Sequence, residues 1–363
     1  MMIPTRPRLL KLKAALLALT TCCLFAMITP PAAAAPRDIA STITVSGTQW
    51  GKSTCYIGAV EGSTRFNIAD MKDLGINSYH IYGGMPRWET QDDSPVYGSP
   101  TIDQIKANPN VINWAYWDNV MTNPHEGSDY WSSNPPPLWQ GNARTIFSTL
   151  KAAGIRVLLT IRNRDTDTHP VWAPNPPVKQ ADWNEWWEHV FATVYWLNVR
   201  NNYNVNDFEI HNEANLHDHG WGGTEQQYFE LARVMHDAID YVYKKYLPGR
   251  TYHIFGPGAN TDSIWTSDML QQAPDTFDTL SIHDYAGSYF SQVVERAHYF
   301  QYLAGRNTYP LWVSEWGSYY WTDKYISIPK GIEMINDLIS GSQPGYDYVY
   351  GSQVFSLYDY GTT

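Results

Sequence analysis

The sequence predicts an α/β chain of the (β/α)8 (TIM) barrel class, on three observations. Strand-like apolar runs alternate with amphipathic helical stretches along almost the whole chain, and such alternation implies a parallel sheet. About eight strand–helix units fall in roughly 330 residues, which suits a closed barrel better than an open sheet. No Gly-rich fingerprint follows the first strand, where an open doubly wound sheet would usually carry one.

The elements are expected in the following order. Residues 1–35 are set aside as a secretory signal peptide: Arg6, Arg8, Lys11 and Lys13 form a basic start, "AALLALTTCCLFAMI" is the apolar stretch, and "PPAAAA" offers cleavage after Ala35. The apolar run is about 15 residues, short for a membrane span. The expectation is a secreted, extracellular protein with no membrane association after cleavage, its catalytic domain spanning 36–363. "STITVSG" (41–47) reads as the first strand, "NIADMKDLGI" as a helix closing on Gly75, and "INSYHIYGG" as the second strand. A long irregular insertion follows over about 83–140, rich in aromatics and holding the helical piece "VINWAYWDNVM". "NARTIFSTLKAAG" is a helix and "IRVLLTIRNR" a strand. Asp182 with Glu185 suggests a capping box for "WNEWWEHVFATVYWLNVRNNY". "DFEIHNEAN" is the fourth strand. Thr224 with Gln227 caps a helix whose Phe229, Ala232, Met235, Ala238, Ile239 and Val242 recur every three to four residues. "YHIFGPGAN", "TLSIHDYAG", "LWVSEWG" and "VYGSQVFSLYDYG" complete the strands, with helices between them. The chain stops soon after the eighth strand, so the eighth helix is expected to be missing and the sequence to be a fragment of a longer protein.

Composition narrows the function. The formal charge is −11, and removing residues 1–35 takes four basic residues and no acids, leaving −15. Such a surface repels phosphate backbones, so nucleic acid is excluded as a partner. The chain holds 16 Trp and 26 Tyr, more than a core alone usually absorbs, and exposed rings stack on neutral ligands such as sugars. Cys55 is the one cysteine left after cleavage, so stability must come from the core rather than from an internal disulfide.

A barrel of this class places its site at the C-terminal strand ends. Strand 4 ends in Asn212 and Glu213, and strand 7 places Glu315 at its tip with Trp316 beside it. Strand 6 carries Ser281, His283 and Tyr285 on one face by the two-residue period. Strands 4 and 7 lie opposite each other in a closed barrel. Two carboxylates across a cleft are what glycoside hydrolysis needs: one protonates the leaving oxygen, and the other attacks the anomeric carbon or activates water. The acid must hold its proton near neutral pH while its partner stays ionised. Their separation decides between retention and inversion.

These segments resemble the retaining glycoside hydrolases of clan A, (β/α)8 enzymes with two catalytic glutamates. "FEIHNEANLHDHGWGGTEQQYFELAR" is most similar to the acid/base segment of glycoside hydrolase family 39, the β-xylosidases and α-iduronidases. Ala214 stands where that family usually has Pro. "SIHDY", "LWVSEWG" and "VFSLYDYG" are similar to its strand 6, 7 and 8 segments. The resemblance implies Glu213 as acid/base and Glu315 as nucleophile. It further implies that Asn212 holds the sugar 2-hydroxyl, that Tyr285 hydrogen-bonds the nucleophile, and that His283 lines the same wall. It implies a carbohydrate substrate, no cofactor and no metal. Many clan members carry a Trp near the end of strand 8; here the region offers Phe355, Tyr358 and Tyr360. For the Arg that often ends strand 2, His80 and Arg87 are the candidates, and His80 is counted with the substrate-binding residues. Trp221 is counted with them too, among loop aromatics able to serve as sugar platforms: Trp88, Trp131, Trp139, Trp172, Tyr319 and Trp321.

Other residues read more plainly. Glu209 is expected to be a buried partner for a base such as Arg162. Trp183, Trp186 and Trp187 sit at helical spacing and belong to the core. "HDHG", with His217, Asp218 and His219, stays unassigned. A non-catalytic carbohydrate-binding barrel is the alternative to an enzyme.

Overall fold

The computed structural model describes residues 56–60, 67–89, 92–93, 100–122, 142–164, 173–216, 221–260, 264–285, 290–306, 309–316 and 349–354; for 290–294, 349–352 and 354 only the backbone is considered. All lie within one compact unit, Ser53–Thr363. Eight parallel strands close into a barrel in chain order: β1 Tyr56–Val60, β2 Ser78–Gly84, β3 Arg156–Arg162, β4 Asp207–Ile210, β5 His253–Asn260, β6 Thr279–Asp284, β7 Leu311–Trp316 and β8 Val349–Val354. Closure is direct, because β1 pairs with β2 on one side and β8 on the other.

Helices cover the outside. α1 (Ile68–Asp73) follows β1, and α2 (Met85–Trp88), α3 (Ile102–Ala107), α4 (Trp114–Thr122) and α5 (Ala143–Ala153) lie between β2 and β3. α6 (Gln180–Val194) runs on into a π-helical turn, Tyr195–Arg200; α7 (Glu225–Tyr246), α8 (Trp265–Gln272) and α9 (Phe290–Leu303) follow. The periodic residues of α7, Phe229 through Val242, are fully buried. Its Thr224 and Gln227 form the reciprocal cap, two donors satisfied at once. Trp186 and Trp187 of α6 are buried core residues, as their spacing suggests.

Several expectations need correcting. The first barrel strand is Tyr56–Val60, whereas the 41–47 segment lies outside the described residues. β1 is only five residues long and has Gly58 at its centre, a weak strand signal. The glycine is required there, since a Cβ would sit 2.6 Å from the Ser78 carbonyl oxygen of β2. The described part of the 83–140 insertion is largely helical, and α3 has a full Thr101–Gln104 capping box. α6 begins at Gln180, so Asp182 is its third residue: its Oδ2 accepts the backbone N–H groups of Val178 and Lys179, each at 3.0 Å. Glu185 takes no part in that cap. The segment after β8, from which the eighth helix is expected to be missing, lies outside the described residues.

The barrel interior is layered. Tyr56, Leu158, Phe255 and Trp312 come from β1, β3, β5 and β7 and pack as one apolar layer from alternate strands. Toward the C-terminal rim the interior turns polar, with Thr160, Glu209, Ser281, His283 and Ser314 all buried.

Candidate active site

Local irregularities in three strands shape the rim. β4 ends at Ile210, earlier than the sequence suggests. His211 and Glu213 follow with φ of 56° and 43°, left-handed values that stop a strand. The Glu213 N–H is caught by the Gly258 carbonyl at 2.9 Å. Gly258 is the unpaired residue of a bulge in β5, between Pro257 and Ala259, at φ 59°. A second bulge lies in β7: Ile282 pairs with Val313 but His283 pairs with Glu315, leaving Ser314 extra. Bulges re-aim side chains next to active sites. Here they bring His283 and both glutamates together.

The result is a buried carboxylate–imidazole–carboxylate group. His283 Nδ1 donates to Glu213 Oε1 at 2.9 Å and lies 3.6 Å from Glu315 Oε2. One ligand atom from each of Glu213, His283 and Glu315 falls within 4.8 Å of the others. Tyr285 donates to Glu315 Oε2 at 2.6 Å, and Tyr82 donates to its Oε1. Asn260 Nδ2 reaches Glu213 Oε1 at 3.5 Å. Burial alone would lower the His283 pKa. The Glu315 charge and the hydrogen bond to Glu213 outweigh it and hold His283 at about 9, so the ring is cationic near neutral pH. Burial, then the Glu315 charge, pushes the Tyr82 hydroxyl well above its usual value, keeping it a neutral donor.

A second polar chain lies beneath. His80 Nδ1 meets the Ser314 carbonyl oxygen at 3.1 Å, and its Nε2 meets the Thr160 hydroxyl and, at 3.2 Å, Glu209 Oε2. Thr160 donates to the same carboxylate oxygen at 2.7 Å. Burial would raise Glu209, but His80 wins and holds it down at about 2. The partner of Glu209 is therefore His80, not Arg162, whose Nε instead donates to the Gly83 carbonyl at 3.3 Å. This removes His80 from the substrate-binding set: the ring is fully buried and both nitrogens are engaged. Arg87 donates to the Tyr82 carbonyl oxygen.

Trp221 is also corrected. It is completely buried, its indole N–H donates to the Thr224 carbonyl at 3.2 Å, and its ring meets His211 edge-on at 5.7 Å. It supports the turn that carries Glu213 instead of offering a platform. Trp88 is buried as well; Trp131, Trp139, Trp172, Tyr319, Trp321, Phe355, Tyr358, Tyr360 and the "HDHG" residues 217–219 lie outside the described residues. Asn212 is partly exposed beside Glu213, and its Oδ1 finds no hydrogen-bond donor among the described residues. Trp316, 8% exposed, likewise leaves its indole N–H without an acceptor among them.

Sequence reasoning missed Tyr82 and Asn260. Tyr82 was within reach: the alternation that turns His80 into the barrel puts Tyr82 on the same face, one step nearer the rim, and the two rings lie 4.9 Å apart. Asn260 is the last residue of β5, another strand end.

Among the described residues, two groups bring three metal-ligand atoms within 4.8 Å of one another. They are Glu213, His283 and Glu315, and the outlying Glu89, Asp93 and Glu185. In the first, His283 presents an N–H to Glu213 rather than a lone pair to an ion, and two tyrosine hydroxyls donate to Glu315.

Fold and site together define a (β/α)8 barrel with two glutamates converging at the rim, one beyond β4 and one at the end of β7. The sequence matches no protein-family model and no curated protein. The fold, however, is similar to solved structures. A glucosidase from Croceicoccus marinus superposes with a TM-score of 0.54 at 14% identity, over 84% of this chain and 61% of that one. A monomeric β-xylosidase from Caulobacter crescentus CB15 gives 0.53 at 16%, over 84% and 60%. An α-L-arabinofuranosidase from Thermotoga maritima gives 0.52 at 15%, over 85% and 65%. The chain thus spans less than two thirds of the length of each, and at these identities the likeness is one of fold.

Proposed function

We propose that this chain is a retaining glycoside hydrolase of the clan A type, with Glu213 as acid/base and Glu315 as nucleophile. The observation that carries the proposal is the approach of the two carboxylates, an oxygen of each within 4.8 Å. Retaining enzymes hold their carboxyl groups about 5–5.5 Å apart, while inverting ones leave roughly 6.5–9.5 Å for a water. In the first step Glu315 attacks the anomeric carbon. The bond to the leaving oxygen breaks, and that oxygen takes a proton from Glu213. In the second step Glu213 removes a proton from water, water oxygen bonds to the anomeric carbon, and the ester to Glu315 breaks.

The surrounding residues fit these roles. Tyr82 and Tyr285 each donate a hydrogen bond to Glu315 and fix its orientation. The 2.9 Å hydrogen bond between His283 and Glu213 carries a proton that either partner can hold, ready for the leaving oxygen. Asn212, whose Oδ1 has no donor among the described residues, is the proposed contact for the sugar 2-hydroxyl, and Trp316 is proposed to line the same subsite. The substrate class is a plant or microbial polysaccharide or oligosaccharide. Endo action is proposed from the length and aromatic content of the 83–140 insertion. Export through residues 1–35 is part of the same proposal.

A screen of xylans, mannans, glucans and galactans, with product anomers followed by NMR, tests the reading. The first-formed product is expected to keep the substrate's configuration; an inverted product would refute it. Glu315→Gln is expected to abolish turnover. Glu213→Ala is expected to cleave only substrates with a good leaving group and to be rescued by azide.

A further inference from the structure

A second acidic group lies outside the site, where α2 ends and α6 packs. Glu89 follows α2 directly, Asp93 lies four residues on, and Glu185 and Glu188 stand one turn apart on α6. Oxygens of Glu89, Asp93 and Glu185 come within 4.8 Å of one another. All four carboxylates are at most 4% exposed. The independent observation is Glu188: it is 1% exposed, and neither of its carboxylate oxygens has a hydrogen-bond donor among the described residues. The same holds for both oxygens of Glu185. Glu188 stands three residues after Glu185 on α6, so the two side chains share one helix face, the face that carries the group. His189 Nδ1 meets Glu89 Oε2 at 2.6 Å.

Buried carboxylates without donors need either protons or a cation. The donor set is all oxygen, which suits a hard ion. Several carboxylates in irregular array, able to bind through one oxygen or two, suit Ca2+ better than the strict octahedron of Mg2+. We propose that Glu89, Asp93, Glu185 and Glu188 form a site for a hard divalent cation, with Ca2+ preferred over Mg2+. The bound ion ties the segment after β2 to α6. That segment also holds β2 through Arg87, which donates to the carbonyl of Tyr82, the residue that supports Glu315.

The test uses the full chain, stripped with chelator, titrated with CaCl2 or MgCl2, and followed by calorimetry and thermal melting. Calcium is expected to bind at one equivalent and to raise Tm by roughly 4 °C at about a hundred times Kd. The double variant Glu185→Gln with Glu188→Gln is expected to melt with the stripped wild type and to lose both the heat and the shift. Gln reproduces the shape of a protonated carboxyl but cannot ligate as an anion. If that pair fails to fold, Asp93→Asn gives the same comparison. Absence of binding, Mg2+ binding as tight as Ca2+, or full binding in a folded variant overturns the proposal. None of these readouts depends on glycosidase activity.

Discussion

His283→Gln tests the electrostatics that join the two glutamates. The ring is fully buried, 2.9 Å from Glu213 Oε1 and 3.6 Å from Glu315 Oε2. Its pKa rises from 6.5 to about 9, which corresponds to about 3 kcal/mol of preference for the imidazolium in the folded state. The folded value lies above the unfolded one. The stabilisation is therefore fully present below about pH 6.5 and fades as pH rises through 9. Gln retains an N–H donor toward Glu213 but does not titrate. Urea unfolding from pH 6 to 9.5 is expected to show wild type losing about 3 kcal/mol relative to the variant across that interval, so that the two curves converge. Tyrosine ionisation at the top of this window is shared by both proteins and cancels in the comparison. Parallel pH curves for wild type and variant would refute the buried imidazolium, and with it the account of how two carboxylates sit so close together.

Tyr285→Phe and Tyr82→Phe each remove a donor from Glu315. A hydrogen bond to a charged group is worth about 1.5–3 kcal/mol, so each is expected to lower kcat by roughly 10–100-fold with little change in KM, measured in steady state on the substrate found by screening. Glu209→Gln disrupts a buried carboxylate that accepts from Thr160 and meets His80, and is expected to destabilise the fold by about 1–3 kcal/mol at neutral pH. Because Glu209 is held at about 2, its contribution is present above about pH 4.5 and is lost as pH falls through 2; acid titration of wild type against the variant reads this directly. Trp221→Ala is expected to cost about 3–5 kcal/mol of stability. A raised KM with unchanged stability would restore it as a sugar platform.

Much of this site was legible because strand ends follow from simple periods. The alternation in "SIHDY" puts His283 and Tyr285 on one face, and both touch the glutamates. What the periods conceal is register. A glycine inside a strand hints at the bulge at Gly258. The bulge at Ser314 carries no local sequence signal, yet it decides that His283 stands opposite Glu315. The left-handed φ of Glu213 is hidden in the same way, since Glu is not a residue that signals φ above zero. Trp221 was misread because a loop position says nothing of depth. Glu185 was misread because Asp182 and Glu185 have the spacing of a cap whether or not the helix starts there.

The same reasoning explains why two buried groups of acids call for different readings. At the rim, each carboxylate has a partner that the barrel itself supplies: an imidazolium from β6, a hydroxyl from β2, another from just past β6. Charge there is balanced by protein groups, and a reacting sugar can exchange proton and bond with them. Between α2 and α6, Glu185 and Glu188 find no donor among the described residues. Balance there must come from protons or from a bound ion. A catalytic pair needs a set of donors that persists while its own charges change through the reaction. A cation site needs carboxylates left without donors, and the two α6 glutamates meet that requirement.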